Sequence, residues 1–390
     1  MKTSIYTRMF LMIVLSFSTV VAWGEKGLTA TEIVIGSCSA LQGPASALGT
    51  QTILGANAYF NMVNDRGGVN GRKLKLVSYD DGYEPEKTIA CVNKLIQEDE
   101  VFAMGFFVGT PTGAKAAPMA EAHKVPIIGF FSGAELLRTP LRHYVINVRA
   151  SYYNEAKTMV DNLVDVMGMK KIAVFYQQDA FGNAVLEGVK IALSAKGMTP
   201  VALGTFERNT LEVQAGMDKI KPLQPDAVIM VGPYAPIAEF VKRAHSDKWS
   251  PQMLTVSFVG TEAFEKAAGE NGNGVVITQV VPSPSRTDLP LVKQYGEALK
   301  KYSPGAPPSF ASLEGFVDAA VIVEGLKRAG KDLTRDKLVD AIETMHGEDI
   351  GIGMKVNYSS TDHQGFDQLY PTVIRGGVAV PFKDWASLKK

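Results

Sequence analysis

The chain has 390 residues, about twice what one domain usually takes, so two domains are expected. Hydrophobic residues make up 46%, and 40 basic residues balance 40 acidic ones, which excludes a disordered chain and a nucleic-acid-binding charge pattern. Two cysteines and five scattered histidines exclude a disulfide scaffold and a Cys/His metal module.

Lys2 and Arg8 form a short positive region ahead of an uncharged, mostly apolar run from Met9 to Ala22. That run is shorter than the ~20 residues needed to span a bilayer core, and it reads as a secretory signal peptide over residues 1–24. Ala22 and Gly24 supply the small residues for a cut before Glu25. No later stretch is long and apolar enough to span a membrane, so an exported, soluble mature protein is expected.

Beyond Thr29 the pattern alternates between apolar runs and amphipathic helices. Glu32–Cys38 reads as a buried strand, and Ile53, Ala56, Phe60 and Val63 mark a helix over 52–65. The glycines of Arg66–Arg72 end it. KLKLVSY is the next strand, and Pro85 opens a helix carrying Ile89, Val92 and Leu95 on one face. VFAMGFF, VPIIGFF and YVINV follow as strands. The alternation restarts with strands at Lys171–Gln177, Pro200–Phe206, Asp226–Gly232 and Met253–Gly260, and with helices near 183–196 and 235–246. Further helices are expected near 288–301, 309–328 and 334–345. Strands alternating with helices imply an α/β chain with doubly wound parallel sheets. Cys38 and Cys91 can pair in an oxidising compartment or remain buried thiols, and the sequence leaves both open.

Signatures of catalysis and of cofactor binding are missing: no G-x-G-x-x-G after a strand, no P-loop, no G-x-S-x-G and no H-E-x-x-H. Ser132 in Gly129–Gly133 stands one place too late for a nucleophile elbow. Asp80-Asp81 reads as a solvated turn rather than a metal or acid/base pair. No metal, no cofactor and no catalytic residue is expected. Chemistry gathers instead at strand exits, where open parallel sheets bind ligands. Exits at Ser39–Pro44, Phe106–Thr112 and Phe130–Ala134 offer backbone N–H groups and small hydroxyls suited to a carboxylate. Phe181-Gly182, Tyr234 and Phe258 occupy matching exits in the second half and supply an apolar wall.

With Gly43-Pro44, Gly49, GGVNGRKLKL, Tyr79-Asp80-Asp81, Gly109-Thr110, Phe131-Ser132-Gly133, Arg149-Ala150, Phe181-Gly182 and Gly232-Pro233-Tyr234, the chain resembles the leucine/isoleucine/valine-binding proteins. These are the type I periplasmic solute-binding receptors of ABC transporters. The resemblance implies two lobes joined by three hinge crossings: 29–148 with 282–356, and 149–281 with the closing segment and tail 357–390. It implies ligand contacts at Leu48, Gly109 or Thr110, Phe131, Ser132, Gly133, Phe181 and Tyr234, to which the strand-exit reading adds Phe258 and the Arg149–Glu155 segment adds Asn154 or Glu155 as a polar partner from the second lobe. Family members that bind aliphatic amino acids pair the ligand ammonium with a second-lobe glutamate, whereas this region reads Thr255–Val259 and holds no acid. Tyr83 and Val108 stand where the family has a cystine. A buried ammonium without a counter-charge is costly. A carboxylate on an aromatic or apolar body, or an uncharged amide-like solute, therefore fits better than leucine.

The expected function is a periplasmic, monomeric receptor that captures a small carboxylate or amino-acid-like ligand between two lobes and delivers it to an ABC transporter permease in the inner membrane, with no nucleic-acid partner. A sensory protein docking on a signalling ectodomain is the alternative. An exported enzyme using Asp80-Asp81 or Ser132 is the third reading.

Overall fold

The computed structural model describes residues 25–388, so the leader read at 1–24 lies outside the described residues. The first lobe opens with β1 (Glu32–Ser39), α1 (Ser46–Asp65), β2 (Lys73–Asp80), α2 (Pro85–Gln97), β3 (Ala103–Gly105), α3 (Thr110–His123), β4 (Ile127–Ile128) and β5 (Val145–Ile146). These strands form a fully parallel sheet in the order β2-β1-β3-β4-β5.

The second lobe repeats the plan with α4 (Tyr152–Asp161), β6 (Ile172–Gln177), α5 (Ala180–Ser194), β7 (Ala202–Phe206), α6 (Gln214–Ile220), β8 (Ala227–Val231), α7 (Tyr234–Ser246), β9 (Gln252–Val256), α8 (Thr261–Ala268) and β10 (Val276–Gln279). Its parallel part runs β7-β6-β8-β9-β10, the same relative order as the first sheet. The chain then returns to the first lobe as α9 (Pro290–Tyr302), α10 (Phe310–Ala329), α11 (Arg335–Glu343) and the small hairpin β11 (His346–Asp349) and β12 (Lys355–Asn357). Finally β13 (Tyr370–Arg375) and β14 (Val378–Pro381) add antiparallel strands beyond β10. The chain therefore passes between the lobes three times: between β5 and β6, between β10 and α9, and between β12 and β13. Tyr358 and Phe366, beyond β12, still pack in the first-lobe core.

The local reasons are ordinary ones. Pro85 occupies the first turn of α2, where its missing N–H costs nothing, and Val92 and Leu95 turn inward. Every residue of the central strands β3, β4, β8 and β9 is buried, as helices on both faces demand. Cys38 on β1 and Cys91 on α2 form a disulfide, which decides the alternative the sequence left open.

One departure concerns the runs VFAMGFF and VPIIGFF, which form ladders of only three and two residues. Phe106 (φ 64°) and Gly129 (φ 74°) adopt the left-handed conformation and turn the chain out of the sheet. Beyond these turns Val108 and Phe131 bridge to each other and join the cluster between the lobes, whereas Phe107 and Phe130 pack in a first-lobe core with Cys38 and Val92.

Candidate ligand cleft between two parallel sheets

The strand order of each sheet reverses beside its first strand, between β1 and β3 in one lobe and between β6 and β8 in the other. Such switch points place a crevice outside the carboxyl ends of the strands. The two crevices face each other here. One apolar cluster runs through both, joining Ala40, Leu48, Tyr83, Val108 and Phe131 of the first lobe to Phe181, Val256 and Phe258 of the second.

Phe258, on the turn after β9, is the hub. Its ring centroid lies 4.4 Å from that of Phe181, 5.6 Å from Phe131 and 5.9 Å from Tyr83. Tyr152 joins through Phe181 at 5.4 Å. Tilted rings at such distances attract beyond their burial, by ~0.5–1.5 kcal/mol per pair. Leu48, in the first turn of α1, packs on Gly260, whose lack of a Cβ and φ of 75° permit the approach. Tyr234, the first residue of α7, is partly exposed beside the same glycine.

The polar side belongs to the first lobe. Gly109 caps α3 with φ 105°, and a Cβ there would run into the ring of Tyr83. Thr110 opens α3, and its hydroxyl lies 2.8 Å from that of Ser132, both fully buried. The backbone N–H of Ala134 donates to Ser132 Oγ at 3.3 Å, and the Gly133 carbonyl accepts from the Tyr152 N–H at 2.6 Å. Two buried polar atoms without a hydrogen-bond partner stand at the switch points, Ser39 Oγ at the end of β1 and Gln177 Oε1 at the end of β6.

Below the rings sits a buried charge cluster. The Arg149 guanidinium lies 5.1 Å from the Phe131 ring centroid, donates to Ser257 Oγ, and pairs with Glu155 at 3.4 Å and Glu314 at 3.2 Å. Glu155 accepts from the Ser257 N–H at 2.8 Å, the Ser257 hydroxyl at 2.9 Å and the Thr278 hydroxyl at 2.5 Å. Burial pushes the Glu155 carboxyl up, while Arg149 and these donors oppose the shift. Burial likewise pushes Glu314 up to about 7, against the pull of Arg149.

Of the residues singled out in the sequence, Phe131, Ser132, Gly133, Gly109, Thr110, Phe181 and Phe258 converge on this cleft, with Leu48 and Tyr234 at one flank. Asn154 does not. Its side chain accepts from the Ser151 N–H and Oγ and closes a capping box at the start of α4. Its neighbour Glu155 points inward, so an acid does reach the Thr255–Val259 segment, from α4 rather than from that segment. Asp81 also departs from expectation: it is fully buried, and it accepts from the Tyr83 N–H and the Thr88 hydroxyl at 2.9 Å each. Tyr152 and Gln177 went unmarked, and Tyr83 was marked only as standing at a cystine position of the family. Gln177 is the last residue of its strand, so the strand-exit rule already pointed to it. Among the described residues no group of three or more His, Cys, Asp or Glu is disposed to hold a metal.

A cavity of about 500 Å³ lined by His245, Asn273 and Arg375 lies at the amino ends of β9 and β10, away from this chemistry. Nothing there matches the convergence of hydroxyls, helix N-terminus and rings found between the lobes.

Two lobes of matching strand order, closed over an aromatic and hydroxyl-bearing cleft, define a solute-binding receptor. Residues 32–378 match the family model of the periplasmic binding proteins, and the chain belongs to that family. It is 24% identical over 303 residues to Leu/Ile/Val-binding protein homolog 3 of Brucella melitensis, covering 77% of this chain and 80% of the relative. It is 21% identical over 329 residues to the leucine-specific-binding protein of Salmonella typhimurium, covering 83% and 87%. The crystal structure of a possible leucine/isoleucine/valine-binding protein from Rhodopirellula baltica superposes with a TM-score of 0.87 at 35% identity, covering 94% of this chain and 99% of that one. These are binding proteins, not enzymes.

Proposed function

We propose that the protein is exported through cleavage of residues 1–24. In the periplasm it acts as a monomer, captures a small carboxylate with an aromatic or apolar body between its lobes, and delivers it to the permease of an ABC transporter. The observation that carries this reading is the pairing of buried hydroxyls at the start of α3 with a ring cluster donated by both lobes. The N-terminus of α3 and the hydroxyls of Thr110 and Ser132 receive the carboxylate. Phe131, Phe181, Phe258, Leu48 and Tyr234 enclose its body, and Gly109 and Gly133 let the backbone approach.

Glu155 already serves three donors besides Arg149, so it offers a ligand ammonium little. That supports an acid over leucine. Binding follows a hinge motion in which ligand contacts from both lobes favour the closed form.

A thermal-shift screen against amino acids, aromatic acids such as benzoate, short aliphatic acids, amides and ureas tests the reading. A ligand at 100 times its dissociation constant adds ~2.7 kcal/mol to stability, which such a screen resolves. Acids are expected to shift the melt more than leucine does. A large shift with leucine or valine and none with acids would sink the ligand assignment.

A further inference from the structure

We propose that the turn after β2 is a latch that holds the lobes shut at the mouth of the cleft, its Glu84, Arg208 and Asn209 contacts lying outside the ring cluster that Tyr83 joins. The latch deepens the receptor reading and rests on it.

β2 and β7 are edge strands of their sheets, each on the side away from the crossings. At ~4.8 Å per strand, β2 stands roughly 19 Å from β5, where the chain first crosses. A hinge rotation of about 10° thus moves this rim by roughly 3 Å, enough to break a hydrogen bond. Contacts here are made only near full closure.

Several contacts bridge that rim. Gln177 Nε2 donates to the Tyr83 hydroxyl at 3.1 Å. Glu84 accepts from Arg208 Nη2 at 2.9 Å and from Asn209 Nδ2 at 2.6 Å. Arg208 also pairs with Asp179 of its own lobe at 3.4 Å and lies 5.9 Å from the Tyr83 ring centroid.

Both facing turns are shaped for this meeting. Tyr83 (φ 61°) holds the left-handed conformation that a bulky residue rarely adopts, and Asn209 (φ 60°) holds it as asparagine readily does. Asp81 fixes the first turn by accepting from the Tyr83 N–H, and Gly109 leaves space for the ring. The turn serves the closed state, since separated lobes would leave the fully buried Tyr83 ring against water.

The test is the closed-to-open ratio of the mature protein without added ligand. Spin labels on Lys75→Cys and Lys219→Cys, one per lobe, are read by double electron–electron resonance with the native disulfide intact. The ratio is expected to fall about tenfold in the Tyr83→Phe/Glu84→Gln double variant. Raising salt to about 1 M should lower the ratio in the wild type and leave that of Glu84→Gln unchanged.

A wild-type ratio equal to that of the double variant, or a wild type that is entirely open, overturns the latch. If the double variant fails to fold by circular dichroism, Asn209→Ala replaces it, and an unchanged ratio there overturns the latch equally. No ligand is used, so the ligand screen and the latch can fail independently.

Discussion

Arg149 faces three buried carboxyl groups, Glu155, Glu314 and Asp318. Burial and the neighbouring Glu314 push Asp318 well above the carboxylate range, so protons rather than further cations balance part of the cluster. Removing the Arg149 charge leaves Glu314 facing both Glu155 and Asp318 without it. Arg149→Met is expected to cost ~3–5 kcal/mol in urea unfolding, and more at pH 8 than at pH 5, where the carboxyls protonate. A loss under 1 kcal/mol would mean the cluster is not closed as described.

Asp81 gives a second test, with a sign opposite to the usual one for an acid. Burial pushes its carboxyl up to about 6 against bonds from Tyr83 and Thr88, so the folded chain keeps a proton that the unfolded chain has released. Its contribution to stability is complete below about pH 4 and is lost as pH rises through about 6, on the order of 3 kcal/mol. Glu262, pushed up to about 7 by burial, extends the decline to neutrality. Melts from pH 4 to 8 should fall with pH, and Asp81→Asn should flatten the lower half of that slope. An unchanged slope in the variant contradicts the burial argument.

Among the elements, the pairing of β1 with α2 is covalent as well as packed. The Cys38–Cys91 bridge spans a sequence separation of 53 residues, and closing such a loop restricts the unfolded chain by roughly 4 kcal/mol in the chain-entropy model. Replacing both cysteines by serine should lower unfolding stability by ~2–4 kcal/mol without moving the cleft. No loss in stability would show that the bridge adds nothing to the packing of α2.

Helices α1, α2, α5, α7, α9, α10 and α11 were legible from their apolar spacing and length, whereas α3, α4, α6 and α8 were not singled out. α10, read over 309–328, runs from Phe310 to Ala329. β3 and β4 were not legible at their true length. VFAMGFF and VPIIGFF carry the composition of full strands, and only the backbone at Phe106 and Gly129 shows where their regular ladders stop and an isolated bridge between Val108 and Phe131 takes over.

For the whole molecule, the alternation of strand and helix predicted two parallel sheets, while the triple crossing rested on family resemblance. Hydrophobic pattern is a local signal and is blind to which lobe a helix packs on. The cleft divides in the same way. Strand exits marked Thr110, Ser132, Phe181 and Phe258, whereas Tyr83 escaped because a positive φ at a tyrosine leaves no trace in composition. Glu155 was ambiguous beside Asn154 until the capping box fixed which of the two turns inward.

The central claim is that one small acid is held between the lobes by the first-lobe hydroxyls and the rings of both. Calorimetric titration of the acid with the largest melt shift into the wild type, Ser132→Ala and Arg375→Ala tests it directly. One site per chain is expected, with affinity reduced about tenfold or more in Ser132→Ala and unchanged in Arg375→Ala at the far cavity. An unchanged affinity in Ser132→Ala, a loss confined to Arg375→Ala, or no binding of any acid would contradict it.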